Sequence, residues 1–196
     1  MMDRNKRSIA NIVLIGVFTA LVFASSWIRI NIPTPIDNTG IHLGNVLCLL
    51  SGFILGPLRG GMAAGLGSML FDFTNPLYFP SWPFTLVFKF LMGFLCGLVG
   101  SRVRTPAPRD TAFKVAAAVT GQFAYIVLYL SWTYIKAVYW LLVDKDAAWV
   151  TIAVKAPVSL LNGVFAVALS VPLALALQKA LKGVPLYRRF AKKQEE

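Results

Sequence analysis

The chain has 196 residues, of which 57% are hydrophobic and only 14% are charged, and its mean hydropathy is +0.68. Soluble domains carry roughly 25% charged residues, so this composition excludes an ordinary soluble domain and indicates an integral membrane protein. The formal net charge of +11 would suggest nucleic-acid binding in a soluble protein. Here the basic residues lie between apolar runs, where they orient membrane helices and contact anionic lipid headgroups, and we expect no nucleic-acid partner.

Six apolar stretches follow one another along the chain, and each suits the roughly 20 residues that a membrane-spanning helix needs. They predict a single membrane domain, an all-α bundle of six transmembrane helices, near residues 8–28, 41–57, 60–79, 81–101, 114–136 and 148–178. The third span is the weakest, because only Gly60–Phe71 is uncharged before Asp72. The first span lacks a cleavage pattern, so we expect it to remain as a helix.

The basic residues between the spans predict the orientation of the bundle. Six spans put both termini on one side, and that side carries fourteen Lys and Arg residues against three on the other. This bias predicts cytoplasmic termini and places the loops 29–40, 72–82 and 137–147 outside. The expected location is a bacterial plasma membrane, with the basic tail contacting lipid headgroups.

Lys89 and Lys155 interrupt apolar stretches and are the first indication of function. A charge at the bilayer centre costs about 2.5–3.5 kcal/mol on insertion scales, so such a residue normally faces a wet cavity, a partner or a ligand. With ~1.5 Å of rise per residue, Lys89, Lys155 and Asp72 all fall about 9–10 Å from the outer ends of their spans.

Polar and aromatic residues share helical faces and depth with these lysines. The predicted substrate-binding residues are Asn45, Asp72, Trp82, Lys89, Tyr125, Tyr129, Trp132, Lys155 and Asn162. The alternative is that they are hydrogen-bonding groups between helices, with Asp72 neutralising a lysine. However, one carboxylate cannot fully serve two ammonium groups, and Trp and Tyr are good stacking surfaces for a flat ligand.

The outer loop Asn31–Gly40 contains two prolines, a glycine and several turn-forming residues. This composition predicts an ordered, non-helical lid rather than another strand or helix. His42 follows the loop, and a lone histidine at a helix mouth is more often a hydrogen-bonding partner than a catalyst. Cys48 and Cys96 lie in apolar segments without other ligands at metal spacing, so we predict buried free thiols and neither a metal nor a cofactor.

Small residues recur every four positions on three spans, and such stripes permit close approach of helix backbones. On the first span they are Gly16, Ala20 and Ala24. The others are Gly60, Ala64 and Ser68 on the third span, and Gly93 and Gly97 on the fourth. Packing within the bundle is the default interpretation. The stripe on the first span equally suits docking of a partner protein if it is exposed.

The segment Ile41–Asp72 contains the pattern LGN, GP-x-x-G and AG-x-G-S-x-x-x-D, and it is followed by Trp82-Pro83 and Lys89-x-x-x-Gly93. This arrangement resembles the substrate-binding S components of energy-coupling factor (ECF) vitamin transporters, particularly those for riboflavin, pyridoxine and hydroxymethylpyrimidine. The resemblance implies a binding protein without enzymatic activity that associates with a transmembrane coupling subunit and two ATPase subunits. It also implies a lid in the first outer loop and a coupling-subunit contact at Gly16, Ala20 and Ala24.

Two other functions stay open at this point. A membrane enzyme acting on a lipid or prenyl substrate usually needs clustered carboxylates or a His/Asp/Ser set, whereas Asp72 is the only acidic residue within a predicted span. A stand-alone secondary transporter would move its substrate without an ATPase partner; the sequence contains no P-loop and no evident inverted repeat. Among ligands, a flavin, pyridoxine, a hydroxymethylpyrimidine, a pterin and a deazapurine all remain candidates.

Overall fold

A computed structural model of the chain describes residues 2–101 and 109–181. In chain order the six helices are α1 Met2–Ser26, α2 Gly44–Leu55, α3 Pro57–Thr74, α4 Trp82–Ser101, α5 Arg109–Ile135 and α6 Lys145–Leu181. Two strands, β1 Arg29–Pro33 and β2 Asn38–His42, lie between α1 and α2. A short 3₁₀ turn, Phe79–Ser81, precedes α4, and a π-helical turn, Lys136–Trp140, follows α5.

The helices occupy the six positions that the apolar runs predicted. Within the described residues, four segments are long and apolar enough to cross a membrane: Ile9–Ser26, Phe79–Gly100, Asp110–Trp140 and Lys145–Leu181. The second helix is shorter than predicted, because Ile41 and His42 belong to a strand and α2 has only 12 residues. At ~1.5 Å per residue α2 is about 18 Å long, which is shorter than the ~30 Å hydrocarbon core.

Helices α2, α3 and α4 approach so closely that their backbones touch. A Cβ atom on Gly60 would lie 2.6 Å from Gly52 Cα, and one on Gly97 would lie 2.7 Å from Pro57 N. Gly56 joins α2 to α3 with a φ of 81°, which favours glycine, and Pro57 begins α3 where its missing N–H leaves no bond unmade. The small-residue stripes of the third and fourth spans therefore pack inside the bundle.

The core lies where α1 packs against α2 and α3 and where α4 covers them. Val22, Leu49 and Met92 fill this region and are fully buried. Cys48 and Cys96 are buried in the same cluster as free thiols, which confirms the burial predicted for them. Small apolar thiols suit these positions because the neighbouring backbones leave little room for larger side chains.

The helical bundle is as predicted, but the predicted non-strand lid is instead a small β-hairpin, Arg29–His42. The prediction of no strand was wrong because it took the prolines as strand breakers throughout the loop. Pro33 ends β1, opposite Asn38, and Pro35 lies in the turn, where a missing N–H interrupts no interior ladder. Thr34 Oγ1 closes this turn by donating to the carbonyl oxygen of Asp37 at 2.6 Å.

The hairpin, the α3–α4 connection and the π-helical turn all contribute side chains to one cavity, including Arg29, Tyr78 and Lys136. These three connections therefore lie at the same end of the bundle, as expected if they share one side of a membrane. Arg102, Arg104 and the basic cluster beyond Leu181, which contribute to the predicted orientation, lie outside the described residues.

Candidate substrate-binding site

A cavity of about 110 Å³ lies between the hairpin and helices α3 to α6. Judged by the space that one buried water needs, it has room for several waters or for one small ring compound. Among the residues predicted to bind substrate, six line this cavity: Asp72, Lys89, Tyr125, Tyr129, Trp132 and Lys155. The other three, Asn45, Trp82 and Asn162, do not.

Lys89 reaches the cavity from α4 and is 4% exposed. Its ammonium donates a hydrogen bond to Asn45 Oδ1, and Nζ lies 3.8 Å from the centroid of the Tyr125 ring. Asn45 is fully buried on α2 and does not line the cavity, so its hydrogen bond holds the lysine side chain in position. Both neighbouring groups are neutral, so they orient the ammonium without cancelling its charge.

Lys155 reaches the cavity from α6, and its side chain is 2% exposed. Its Nζ forms an ion pair with Asp37 Oδ1 at 2.6 Å, and the other carboxylate oxygen of Asp37 accepts from Lys136 Nζ at 3.2 Å. The sequence pattern predicts only Asp72 as a counter-charge for the lysines and does not point to Asp37. The available signal was that Asp37 is the only carboxylate in the loop Asn31–Gly40.

Lys155 and Lys136 also control the ionisation of Asp37. Burial alone would raise the pKa of its carboxyl group, but the charges and hydrogen bonds of Lys155 and Lys136 outweigh burial and hold the pKa below its ordinary value. The turn of the hairpin is therefore attached to α6 and to the π-helical turn by a carboxylate that remains ionised at neutral pH.

Four cavity-lining residues carry buried polar atoms that have no hydrogen-bond partner among the described residues. They are Nε of Arg29, Nδ1 of His42, Oδ2 of Asp72 and Nε1 of Trp132. Buried polar groups are nearly always hydrogen-bonded, and an unmade bond costs about 1–3 kcal/mol. Such atoms around one cavity leave hydrogen-bonding groups available to a polar molecule.

Aromatic rings form the apolar surfaces of the cavity. The rings of Phe84 and Trp132 stack with 3.4 Å between centroids and 19° between planes, and Trp140 contacts both of them edge-on. Tyr125 and Tyr129 stack one turn apart on α5, with 5.8 Å between centroids. Such faces suit a flat conjugated ligand, because stacking adds to the gain from apolar burial.

Arg29, like Asp37, lines the cavity but is not among the residues predicted to bind substrate. Its guanidinium lies 4.3 Å from the centroid of the Tyr78 ring and donates a 2.8 Å hydrogen bond to Tyr78 Oη. Tyr78 Oη lies a further 3.3 Å from Asn31 Oδ1. These contacts join β1 to the α3–α4 connection, so Arg29 both lines the cavity and fixes one edge of the hairpin.

Asn162 and Trp82 were predicted to line the substrate site, but neither contacts the cavity. Asn162 is 5% exposed and bonds to β2, accepting from the backbone N of His42 and donating to the carbonyl oxygen of Gly40, both at 3.4 Å. Trp82 stacks on Phe73 with 5.0 Å between centroids, away from the cavity. Asn162 thus positions the hairpin, and Trp82 packs α4 against α3.

The stripe Gly16, Ala20 and Ala24 is exposed on α1, unlike the internal stripes of α3 and α4. A Cβ atom placed on Gly16 would meet no atom within 4 Å. The opposite face of α1 carries the buried residues Phe18 and Val22. The small residues of α1 therefore form a free, nearly flat face directed away from the bundle.

Apolar helices long enough to cross a membrane, together with a polar, aromatic-lined cavity at one end, define a helical membrane protein with an internal compartment. A sequence model of the S component of ECF-type riboflavin transporters matches residues 6–179. The chain belongs to this family of membrane transport proteins, which is not an enzyme family.

Three curated relatives are each similar to part of this chain. A UPF0397 protein of Enterococcus faecalis is 30% identical over 100 residues, which cover 51% of this chain and 53% of its own length. A UPF0397 protein of Lactococcus lactis subsp. cremoris is 36% identical over 90 residues, 46% of this chain and 48% of its own. An uncharacterized protein of Pyrococcus woesei is 38% identical over 69 residues, which cover 35% of this chain and 45% of its own length. The chain spans about half the length of the curated relatives it matches.

Proposed function

We propose that this chain is the substrate-binding subunit of an ECF-type importer. It captures a small heteroaromatic vitamin or precursor, of the riboflavin, pyridoxine or hydroxymethylpyrimidine class, from outside the cell for ATP-driven uptake. Family membership supports the subunit role. The observation that carries the proposal for the site is the set of four unpartnered, buried polar atoms around the cavity, within the part of the chain that the structure describes.

The chemistry of the cavity fits a flat ring with polar substituents. Tyr125, Tyr129 and Trp132 supply ring faces, and Lys89 and Lys155 supply ammonium donors at the cavity surface. Oδ2 of Asp72 is an acceptor for a ring N–H or a hydroxyl group. A few directed polar groups within an apolar surround are the usual composition of a small-molecule site.

The proposed subunit is a single membrane domain that crosses the bacterial plasma membrane six times, with both termini in the cytoplasm. The bias of fourteen basic residues against three supports this orientation. Helix α2 is too short to cross alone, and the hairpin that precedes it extends the crossing towards the outer surface. Helix α6 has 37 residues, so its length of about 55 Å carries it beyond the lipid core.

The proposed partners are a transmembrane coupling subunit and two ATPase subunits, with membrane lipid around the bundle. The exposed face of Gly16, Ala20 and Ala24 supports docking of a helix from the coupling subunit, because small residues allow backbones to approach closely. ATP hydrolysis is assigned to the partners because this sequence has no phosphate-binding G-x-x-x-x-G-K-[ST] loop.

The test combines ligand identification with reconstitution. Mass spectrometry of the acid-denatured, purified protein should release a small heteroaromatic compound, which should then quench the tryptophan fluorescence of the emptied protein at nanomolar to micromolar concentration. Vesicles containing the chain, the coupling subunit and the ATPases should accumulate that compound only with ATP. Accumulation by vesicles that contain this chain alone would instead establish a stand-alone transporter.

A further inference from the structure

The cations around the cavity outnumber the carboxylates. Arg29, Lys89, Lys136 and Lys155 line it, whereas the lining carboxylates are Asp37 and Asp72. Asp37 is shared between two of the lysines, and the near neighbours of Lys89 are an amide and a tyrosine ring. Enclosing unbalanced charge away from water is costly, so the closed cavity favours a ligand that brings negative charge.

The carboxylate that pairs with Lys155 lies on the hairpin and not on a helix of the bundle. Asp37 lies in the turn of a two-stranded hairpin, and its side chain is 26% exposed, whereas Lys155 is fixed in α6 at 2% exposure. The same hairpin forms one wall of the cavity, from Arg29 to His42. If the hairpin moves aside to admit a ligand, Lys155 and Lys136 lose their counter-charge together.

From this arrangement we infer that Asp37 holds the place of an acidic group on the substrate, and that Lys155 receives that group when substrate binds. This inference rests on the proposed binding function but changes the ligand expected there: a small, flat ring compound that carries a carboxylate or similar acidic group, which neutral riboflavin and hydroxymethylpyrimidine lack. On closure, Asp37 keeps its contact with the more exposed Lys136, and the ligand takes the buried Lys155. Each ammonium group then has its own anion.

The competing possibility is that Asp37 is only a latch over a neutral ligand. The two possibilities predict opposite effects of removing the carboxylate. If Asp37 competes with the ligand, its removal vacates Lys155 and strengthens the binding of an acid. If Asp37 is a latch, its removal weakens binding of acid and neutral compounds alike.

The experiment uses nicotinate and nicotinamide as matched probes, because they share one small ring and differ in carrying a carboxylate or a neutral amide. Their effect on the thermal midpoint of the detergent-purified full chain is measured at constant ionic strength. We expect nicotinate to stabilise Asp37→Ala at a half-maximal concentration at least tenfold lower than for the wild type. Nicotinamide should show no such difference, and Asp37→Asn should respond in the same direction as Asp37→Ala.

Two controls fix the location of the effect. Asp146→Ala removes an exposed carboxylate that does not line the cavity, and it should respond to nicotinate as the wild type does. The double variant Asp37→Ala/Lys155→Met should lose the gain. Equal responses to the two probes, no response of Asp37→Ala to either, or a gain that persists without Lys155 would each overturn the inference. ATP-dependent uptake is not part of this readout, so failure of the importer assignment would be seen separately in vesicles.

Discussion

Lys155 on α6 and Asp37 in the hairpin turn form an ion pair with 2.6 Å between Nζ and Oδ1. The pair runs from the interior of the bundle to the surface of the hairpin, because the lysine is buried and the carboxylate is partly exposed. The position of the hairpin therefore depends on a charge that the helices hold in place.

The first prediction concerns Lys89, the cavity lysine that contacts Asn45 and the ring of Tyr125. Lys89→Met should weaken ligand binding by about 1.5–3 kcal/mol, or roughly tenfold to a hundredfold, since a charge-assisted hydrogen bond to the ligand is lost. Titration of tryptophan fluorescence with the copurified ligand measures the change. The control is Lys145→Met, which removes an exposed lysine at the start of α6. Equal affinities of Lys89→Met and the control would exclude Lys89 from the binding site.

The second prediction concerns the turn of the hairpin. Thr34→Val removes the hydroxyl group that donates to the carbonyl oxygen of Asp37 and accepts from its backbone N at 3.1 Å. Loss of about 0.5–1.5 kcal/mol from the closed turn should accelerate ligand release roughly twofold to tenfold. Stopped-flow fluorescence measures this rate. The control, Thr120→Val on the exposed face of α5, should leave the release rate unchanged. An unchanged rate in Thr34→Val would show that the hairpin does not control ligand release.

The third prediction is the pH range of the Asp37 ion pair. The pKa of Asp37 is lowered in the folded state, because the charges and hydrogen bonds of Lys155 and Lys136 outweigh the effect of burial, which acts to raise it. The pair therefore contributes full stability above the unfolded pKa of about 4, and this contribution is lost as pH falls through the lower folded pKa. The difference in Tm between the wild type and Asp37→Asn should stay constant from about pH 8 to pH 5 and shrink in stronger acid. A difference that changes steeply near pH 6 would assign the pH response to another group.

The fourth prediction separates ligand binding from transport. Ala20→Trp places a bulky side chain on the exposed face of α1, so it should block close docking of a partner helix while the cavity on α3 to α6 stays intact. We expect ligand affinity within about twofold of the wild type and loss of ATP-dependent uptake in reconstituted vesicles. Leu161→Trp, an exposed apolar position on α6, is the matched control and should transport normally. Full uptake by Ala20→Trp would remove the docking role from this face.

The fifth prediction compares two glycines in different surroundings. A Cβ atom on Gly52 would lie 2.5 Å from the carbonyl oxygen of Gly93, so Gly52→Ala should force α2 and α4 apart and destabilise the protein by about 2–4 kcal/mol. Gly16→Ala meets no atom within 4 Å and should be neutral or stabilising by up to about 1 kcal/mol, because alanine favours helix. Thermal melts in one detergent measure both. Similar losses in the two variants would contradict the close packing of α2 and α4.

The helices could be read from the sequence because the apolar runs are long and their ends are marked by charge or by turn residues. The fourth span, predicted at residues 81–101, is the helix Trp82–Ser101. Six of the nine residues proposed for the site line one cavity, because a lysine within an apolar run faces the same internal space as the aromatic residues on neighbouring helices.

The hairpin could not be predicted in the same way. A two-stranded sheet depends on pairing between Arg29–Pro33 and Asn38–His42, and local composition shows only the turn. The pairing of Asp37 with Lys155 joins distant parts of the chain, so no periodicity within one helix reveals it. Asn162 and Trp82 failed as cavity residues for a different reason: helical spacing gives a face, but the rotation of that face depends on the packing of neighbouring helices.

Gly56 is the single residue that connects α2 to α3, so these two helices cannot move independently at one side of the cavity. It fixes α2 and α3 as one unit, with their backbones in contact at Gly52 and Gly60, and this unit supplies Asn45 and Asp72 to the region of the cavity. The α2–α3 side of the cavity is therefore stiff, whereas the hairpin side is a small sheet held by side-chain contacts. The α2–α3 unit and the hairpin are different segments of the chain, so substitutions can alter the contacts that hold the hairpin without disturbing the packing of α2 against α3.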